Sequence, residues 1–255
     1  MDAPWYAAMV APMALAETGS GSRTLVQHNG FRFAVFARQG GHPPNLENLD
    51  DLEVLSRTIA RMHAVGARQS FSQRPQINAQ RFGHDSRNFL LENNFLPPEM
   101  ESAYASVSEH LLQRITPLLQ DAPNIRIHGD CHMGNILWRD QVPHFVDFDD
   151  CMMGPPIQDL WMLLSGERYD QTGQLATILD AYNDFYPFDV STLNFIEPLR
   201  TLRIMHHAAW LGRRWDDPAF PRAFPWFGRE RFWSDHILEL REQMAAMNEP
   251  PLRLL

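Results

Sequence analysis

The sequence contains no lysine: its 22 basic side chains are all arginine. That absence excludes chemistry built on an amine side chain, such as a Schiff base. It also excludes a complete Walker A loop, which ends in Lys followed by Ser or Thr. Cysteine is scarce, with Cys131 and Cys151 alone. Two are too few for a disulfide framework, and nothing points to an oxidising compartment. Basic charge is short as well, since 22 arginines face 31 carboxylates for a formal net charge of −9. Nucleic-acid surfaces show excess positive charge, so no nucleic-acid partner is expected. The acidic field also repels phosphate-rich partners unless a metal or a local basic pocket intervenes. Long hydrophobic runs are missing too. The apolar patch from Trp5 to Leu15 follows Pro4, contains Pro12 and has no basic n-region, so it reads as neither signal peptide nor membrane anchor. A cytoplasmic monomer with no membrane partner is the expectation.

At 255 residues the chain can form one large domain or two small ones around a sizeable core. No repeat or low-complexity tract is visible. Through about Gly41 the pattern is one of strands and turns. Glu17–Ser22 is turn chemistry, and the apolar run Phe31–Phe36 after Asn29-Gly30 signals a hairpin. Gly40-Gly41 and Pro43-Pro44 then break regular structure. Beyond them, Leu49, Leu52, Ile59 and Met62 recur at helical spacing behind the candidate cap Asn48, and Tyr104, Val107, Leu111, Ile115 and Leu118 repeat the pattern. Further helices are expected near 172–185, 192–214 and 229–247. One short strand-rich island, about Ile125 to Phe148, lies among them.

That island carries the chemistry. It reads Ile125-Arg126-Ile127-His128-Gly129-Asp130-Cys131-His132-Met133-Gly134-Asn135, then an apolar strand Ile136–Trp138. A polar turn, Arg139-Asp140-Gln141, precedes a second strand, Phe145–Phe148. Pairing the two strands across the turn would bring Asp130, Asn135 and Asp147 into one small volume. Phosphoryl transfer needs such a set: a carboxylate to orient and deprotonate the attacking hydroxyl, and hard oxygen ligands that hold Mg²⁺ against nucleotide phosphates. Asp130 is the candidate base; Asn135 and Asp147 are the candidate metal ligands. His128 and His132 could instead begin a zinc site, but no further histidine-rich motif completes one, and His128 reads as a buried histidine bonding backbone. Cys131, beside the candidate base, reads as a small buried filler in preference to a redox-sensitive thiol. Asp149 and Asp150 stand between loop capping and support of the metal site.

The run His-Gly-Asp-Cys-His-Met-Gly-Asn, followed by Phe-Val-Asp-Phe-Asp-Asp and Gly-Pro-Pro-Ile-Gln-Asp-Leu-Trp, resembles the aminoglycoside-phosphotransferase and choline-kinase superfamily. Within it the likeness is strongest to bacterial stress-response Ser/Thr protein kinases, and it runs from about Val10 to Leu254. It continues through Ile196–Arg200, Arg213-Arg214-Trp215, Asp217–Pro221 and Phe224-Pro225-Trp226. The resemblance implies an α+β, protein-kinase-like (aminoglycoside phosphotransferase-type) fold. Residues 1–41 would be a remnant of a truncated β-rich N-lobe with its hinge. Residues 42–255 would form a large, mostly helical C-lobe holding the catalytic hairpin. It implies an ATP- and Mg²⁺-dependent kinase whose partners are ATP and a protein substrate with a Ser/Thr hydroxyl. Asp130 then corresponds to the catalytic base, Asn135 to an Mg²⁺ ligand, and Asp147 to the catalytic aspartate bridging Mg²⁺ and the phosphates. Phe36 and Ala37 fall where the hinge offers backbone groups to adenine, and Asp159 matches a structural aspartate behind the catalytic loop.

The resemblance also exposes a gap. Kinases of this superfamily place a phosphate-covering loop and a lysine early in the N-lobe, with a glutamate on the next helix to pair with it. Only 35 residues precede Phe36 here, and they match the part of the lobe after that helix. Gly19-Ser20-Gly21-Ser22 reads as a hairpin turn. The expectation is a start assigned downstream of the true one. The alternatives are a shortened, catalytically impaired pseudokinase-like binding module, or a small-molecule kinase of aminoglycoside, choline or homoserine type.

Overall fold

The computed structural model describes Met13, residues 15–16, 22–38 and 40–253. The turn chemistry at 17–21 and most of the early apolar patch lie outside the described residues. The first strands are short: β1 (Leu15–Ala16) pairs antiparallel with β2 (Ser22–Arg23), and β3 (Val26–His28) with β4 (Phe31–Phe33). The second pair is the hairpin expected at Asn29-Gly30. Both turn residues take positive φ, 49° and 83°, the geometry that a two-residue loop needs to match strand twist.

α1 (Leu49–Gly66) starts where Asn48 predicts, its side chain accepting the Asp50 N–H at 3.0 Å. Leu52, Ile59 and Met62 are buried, whereas Leu49, at the first turn, is half exposed. The remaining helices are α2 (Asp85–Glu92), α3 (Pro98–Leu118), α4 (Ile157–Trp161), α5 (Arg168–Asn183), α6 (Ile196–Gly212), α7 (Ala219–Ala223) and α8 (Glu230–Ala246). Strands β5 (Ile125–Ile127), β6 (Ile136–Arg139), β7 (Val142–Phe145) and β8 (Met152–Gly154) make up the island. More of the described chain is helix than strand, as an α+β reading requires.

The chain divides into two compact units. One comprises residues 1–68, 128–151 and 159–188; the other comprises 69–127, 152–158 and 189–255. In the first, α1 packs against α5, burying Leu52, Leu55 and Ile59 with Leu175, Ile178 and Tyr182. The β6–β7 hairpin lies in this unit, with Ile136 opposite Phe145 and Trp138 opposite Pro143. The segment before α1 extends its edge, since His42 and Trp138 exchange backbone hydrogen bonds of 3.1 and 2.7 Å. In the second unit, α2 packs on α6 and α3 on α8 around Tyr104, Leu111, Leu202, Met205 and Trp233. There β5 pairs antiparallel with β8, and Met153 bonds in turn to Pro75 and Ile77.

One strand boundary differs from the sequence expectation. β7 ends at Phe145, not Phe148, and its turn is the two residues Asp140-Gln141, both at positive φ (51° and 60°). Shifting the strand towards the turn leaves Val146–Phe148 to leave the sheet, which puts Asp147 in a loop.

Candidate active site

Directly after β5 the chain enters the loop His128–Asn135. Gly129 takes φ 86°, a left-handed turn that costs a glycine nothing. The turn aims two successive backbone N–H groups at Asp159 on α4. His128 N donates to Asp159 Oδ2 and Gly129 N to Oδ1, both at 2.8 Å. His63 of α1 adds its Nε2 at 3.0 Å, and His63 Nδ1 meets the Tyr182 hydroxyl of α5 at 2.7 Å. Burial pushes the Asp159 carboxyl upward. The His63 hydrogen bond, the charges of His63 and His128 and the Gly129 N–H outweigh it and hold Asp159 below the usual carboxylate range. A fully buried carboxylate thus anchors the start of the loop to two helices, the supporting place that the resemblance implies for it.

His128 is the second fastener. Its ring is buried against Phe148, and its Nε2 bonds the Val146 carbonyl at 2.8 Å. Val146 N in turn donates to the Asn135 carbonyl at 3.0 Å. Val146 is therefore clamped on both sides, and the residue after it is Asp147. That aspartate takes φ 61° and ψ 58°, a left-handed conformation that costs a side chain free energy and is concentrated at functional sites. Asp147 is exposed, while Asn135 is buried.

Asn135 closes the arrangement. Its Nδ2 donates to the Asp130 carbonyl at 3.0 Å and to Asp130 Oδ2 at 3.2 Å. With the amide nitrogen used this way, Oδ1 is the atom of Asn135 suited to a cation. Asn135 and Asp147 together offer hard oxygen donors, a set that fits Mg²⁺, which takes one or two carboxylates and completes its shell with water and phosphate oxygens. The loop thus brings Asp130 and Asn135 into direct contact and tethers Asp147 to them through Val146. Phe36 and Ala37 are both exposed. Among the described residues no hydrogen bond joins them to the loop.

The other polar residues of the island resolve differently. His128 is spent on Val146, and His132 Nδ1 caps the short turn Met133–Asn135 by accepting the Gly134 N–H at 3.0 Å. Neither ring is aimed as a zinc ligand. Cys131 is fully buried. Burial, followed by the neighbouring Asp159 and Asp130, pushes its thiol well above the usual range, the environment of an inert structural cysteine. Asp149 and Asp150 fall in a single exposed turn, Phe148–Asp150. His128 is the buried, backbone-bonded histidine that the sequence suggests, but sequence reasoning missed that its partner is Val146, and it missed the His63–Tyr182 support of Asp159. Both rest on partners far apart in the chain, and only the resemblance pointed to Asp159.

Residues 9–194 match the APH phosphotransferase enzyme family. The chain belongs to that family. It is 42% identical over 233 residues to stress response kinase A of Escherichia coli strain K12, a match covering 91% of this chain and 71% of that one. It is 40% identical over 233 residues to the serine/threonine protein kinase RdoA of Salmonella typhimurium, with the same coverage. Among solved structures, amicoumacin kinase hAmiN in complex with AMP-PNP, Ca²⁺ and Ami superposes with a TM-score of 0.65 at 15% identity, covering 97% of this chain and 76% of that one. A microcompartment-associated aminopropanol kinase gives 0.63 at 15% identity, with 97% and 78% covered. These two likenesses fix the kinase-like fold of this phosphotransferase. Among the described residues no helix is long and apolar enough to cross a membrane.

Proposed function

We propose that this phosphotransferase-family chain carries the catalytic part of an ATP- and Mg²⁺-dependent kinase acting on Ser/Thr hydroxyls of proteins. The observation that supports this most is the hydrogen-bonded set Asp130–Asn135–Val146-Asp147, held from behind by Asp159. In this reading Asp130 orients the acceptor hydroxyl and takes its proton, while Asn135 Oδ1 and the Asp147 carboxylate hold the metal. Mg²⁺ would neutralise the charge developing on the transferred phosphoryl group. Phe36 and Ala37 supply backbone groups to adenine. Protein Ser/Thr hydroxyls are favoured as acceptors by the names of the relatives that share 40–42% of the sequence.

The test is Mg-ATP phosphorylation of a generic protein substrate. It should be run on this chain and on a form extended by any open frame upstream of Met1. Activity should fall by roughly 10²–10⁴-fold in Asp130→Ala, the usual size of a general-base contribution. Turnover equal in wild type and variant would sink the assignment.

The missing lysine favours a second reading, a pseudokinase-like module that binds partners without transferring phosphate. Mg-ATP separates the two: a clear rise in melting temperature, as ligand linkage requires of a binding protein, counts against a module that has lost the nucleotide.

A further inference from the structure

His132 belongs to the catalytic loop, yet the reading above gives it no task. Three observations single it out. Its Nδ1 accepts the Gly134 N–H at 3.0 Å, capping the turn Met133–Asn135. Its Nε2 lies 3.4 Å from Asp130 Oδ2, the oxygen that Asn135 Nδ2 approaches at 3.2 Å. The ring also lies so close over Gly134 that a Cβ built there would stand 2.6 Å from its Cε1 and 2.9 Å from its Nδ1. The glycine therefore makes room for the ring.

These contacts fix the proton. A ring nitrogen that accepts an N–H bond carries its lone pair, so a neutral His132 bears its hydrogen on Nε2. That nitrogen is the one 3.4 Å from Asp130 Oδ2, close enough to engage the carboxylate but without hydrogen-bond alignment in this structure. The geometry points to His132 as a positioning residue: held by Gly134 as the Nε2–H tautomer, it directs that N–H at Oδ2 and, with Asn135, fixes the rotation of the Asp130 carboxylate. A small rotation of the ring would add a second donor to the one from Asn135 and hold the plane of the group, which sets the direction from which an acceptor hydroxyl can be deprotonated. The histidine side chain is 44% exposed against 18% for the aspartate. Water competes at Nε2, and the effect on turnover should be moderate. The inference rests on Asp130 being the base, but the placement of the ring can be tested without that assumption.

The experiment uses the full chain labelled with ¹⁵N-histidine, and a long-range ¹H–¹⁵N spectrum near pH 7.5. The His132 signals are those lost in His132→Asn. We expect Nδ1 in the unprotonated range and Nε2 protonated, with Nε2 shifting in Asp130→Asn. Gly134→Ala should return the ring to the averaged pattern of a free histidine. A Nδ1–H tautomer, or an Nε2 signal indifferent to Asp130→Asn, overturns the proposal. Kinetics add a second arm. In His132→Asn a short amide can still cap Gly134 but cannot reach Asp130, so kcat should fall roughly tenfold with the KM for ATP unchanged. His132→Gln, whose amide extends as far as Nε2, should recover part of that loss. Unchanged kcat in His132→Asn also overturns it. If the spectra are as expected but the wild type transfers no phosphate, the reading of Asp130 as a base fails and the placement of His132 stands.

Discussion

At the scale of single residues, the site depends more on Asp159 than on any group that would touch substrate. Its two carboxylate oxygens accept two loop N–H groups and His63. All of this is sealed from water, with Asp159 at 0% and His63 at 1% exposure. Removing one partner of a buried, hydrogen-bonded pair strands the others, at a cost of about 3–5 kcal/mol. Asp159→Ala should therefore lower unfolding stability by about that amount at pH 7, read as a drop in the urea midpoint. A loss below about 1 kcal/mol would mean the loop is held by something else. Asp130→Ala makes a useful contrast: its side chain lies at the edge of the network, so activity should suffer more than stability.

At the scale of elements, the β6–β7 hairpin determines where Asp147 falls, and its turn is imperfect. Asp140 and Gln141 both sit at positive φ, where glycine is favoured because a Cβ is penalised. Gln141→Gly should stabilise the protein by roughly 0.5–1 kcal/mol, less the entropy that glycine adds to the unfolded chain. A lower denaturation midpoint in that variant would show that the turn is not under strain. The same turn explains why the strand boundary differs from the sequence expectation. Without the familiar Asn-Gly pair, Arg139-Asp140-Gln141 reads as a three-residue loop, and the pattern puts the second strand too late. Asn29-Gly30 does carry that signal, and the β3–β4 hairpin forms there. Helix α1, with its Asn48 cap, and α3, with its clear apolar face, are legible too. The pairing of β5 with Met152–Gly154 is not. A three-residue, fully buried strand has no alternation to betray it, and its partner lies across the catalytic loop. Asp130, Asn135 and Asp147 could be named because their spacing follows a known motif. The fasteners His63, Tyr182 and Val146 could not, because chain distance hides them.

At the scale of the whole molecule, buried histidines should make this acidic chain sensitive to mild acid. His236 on α8 lies between the rings of Tyr104 and Phe232, at centroid distances of 5.8 and 5.7 Å. Its Nε2 has no hydrogen-bond partner among the described residues. Burial, with a small contribution from His207, lowers its pKa to about 4. His206 on α6, packed on Phe82 at 4.3 Å, is lowered to about 4 as well, by burial and then by Arg213, Arg81, Arg214 and His207. Both rings are neutral in the fold, and an unfolded histidine takes up its proton near pH 6.5. The unfolded chain therefore binds more protons between about pH 6.5 and 4. Stability is fully present above that window and is lost as pH falls through it. Each histidine contributes at most about 3 kcal/mol, the free energy of a shift of that size. Asp159, held low in its buried pair, adds a further loss only below the ordinary carboxylate range. Urea midpoints should accordingly begin to decline between pH 7 and pH 5.5, above the range in which ordinary carboxylates protonate. His236→Phe keeps the ring stack and removes the titrating group, so it should flatten that decline by about half. A variant that retains the full slope would place the acid sensitivity elsewhere, on His206 or on the carboxylates.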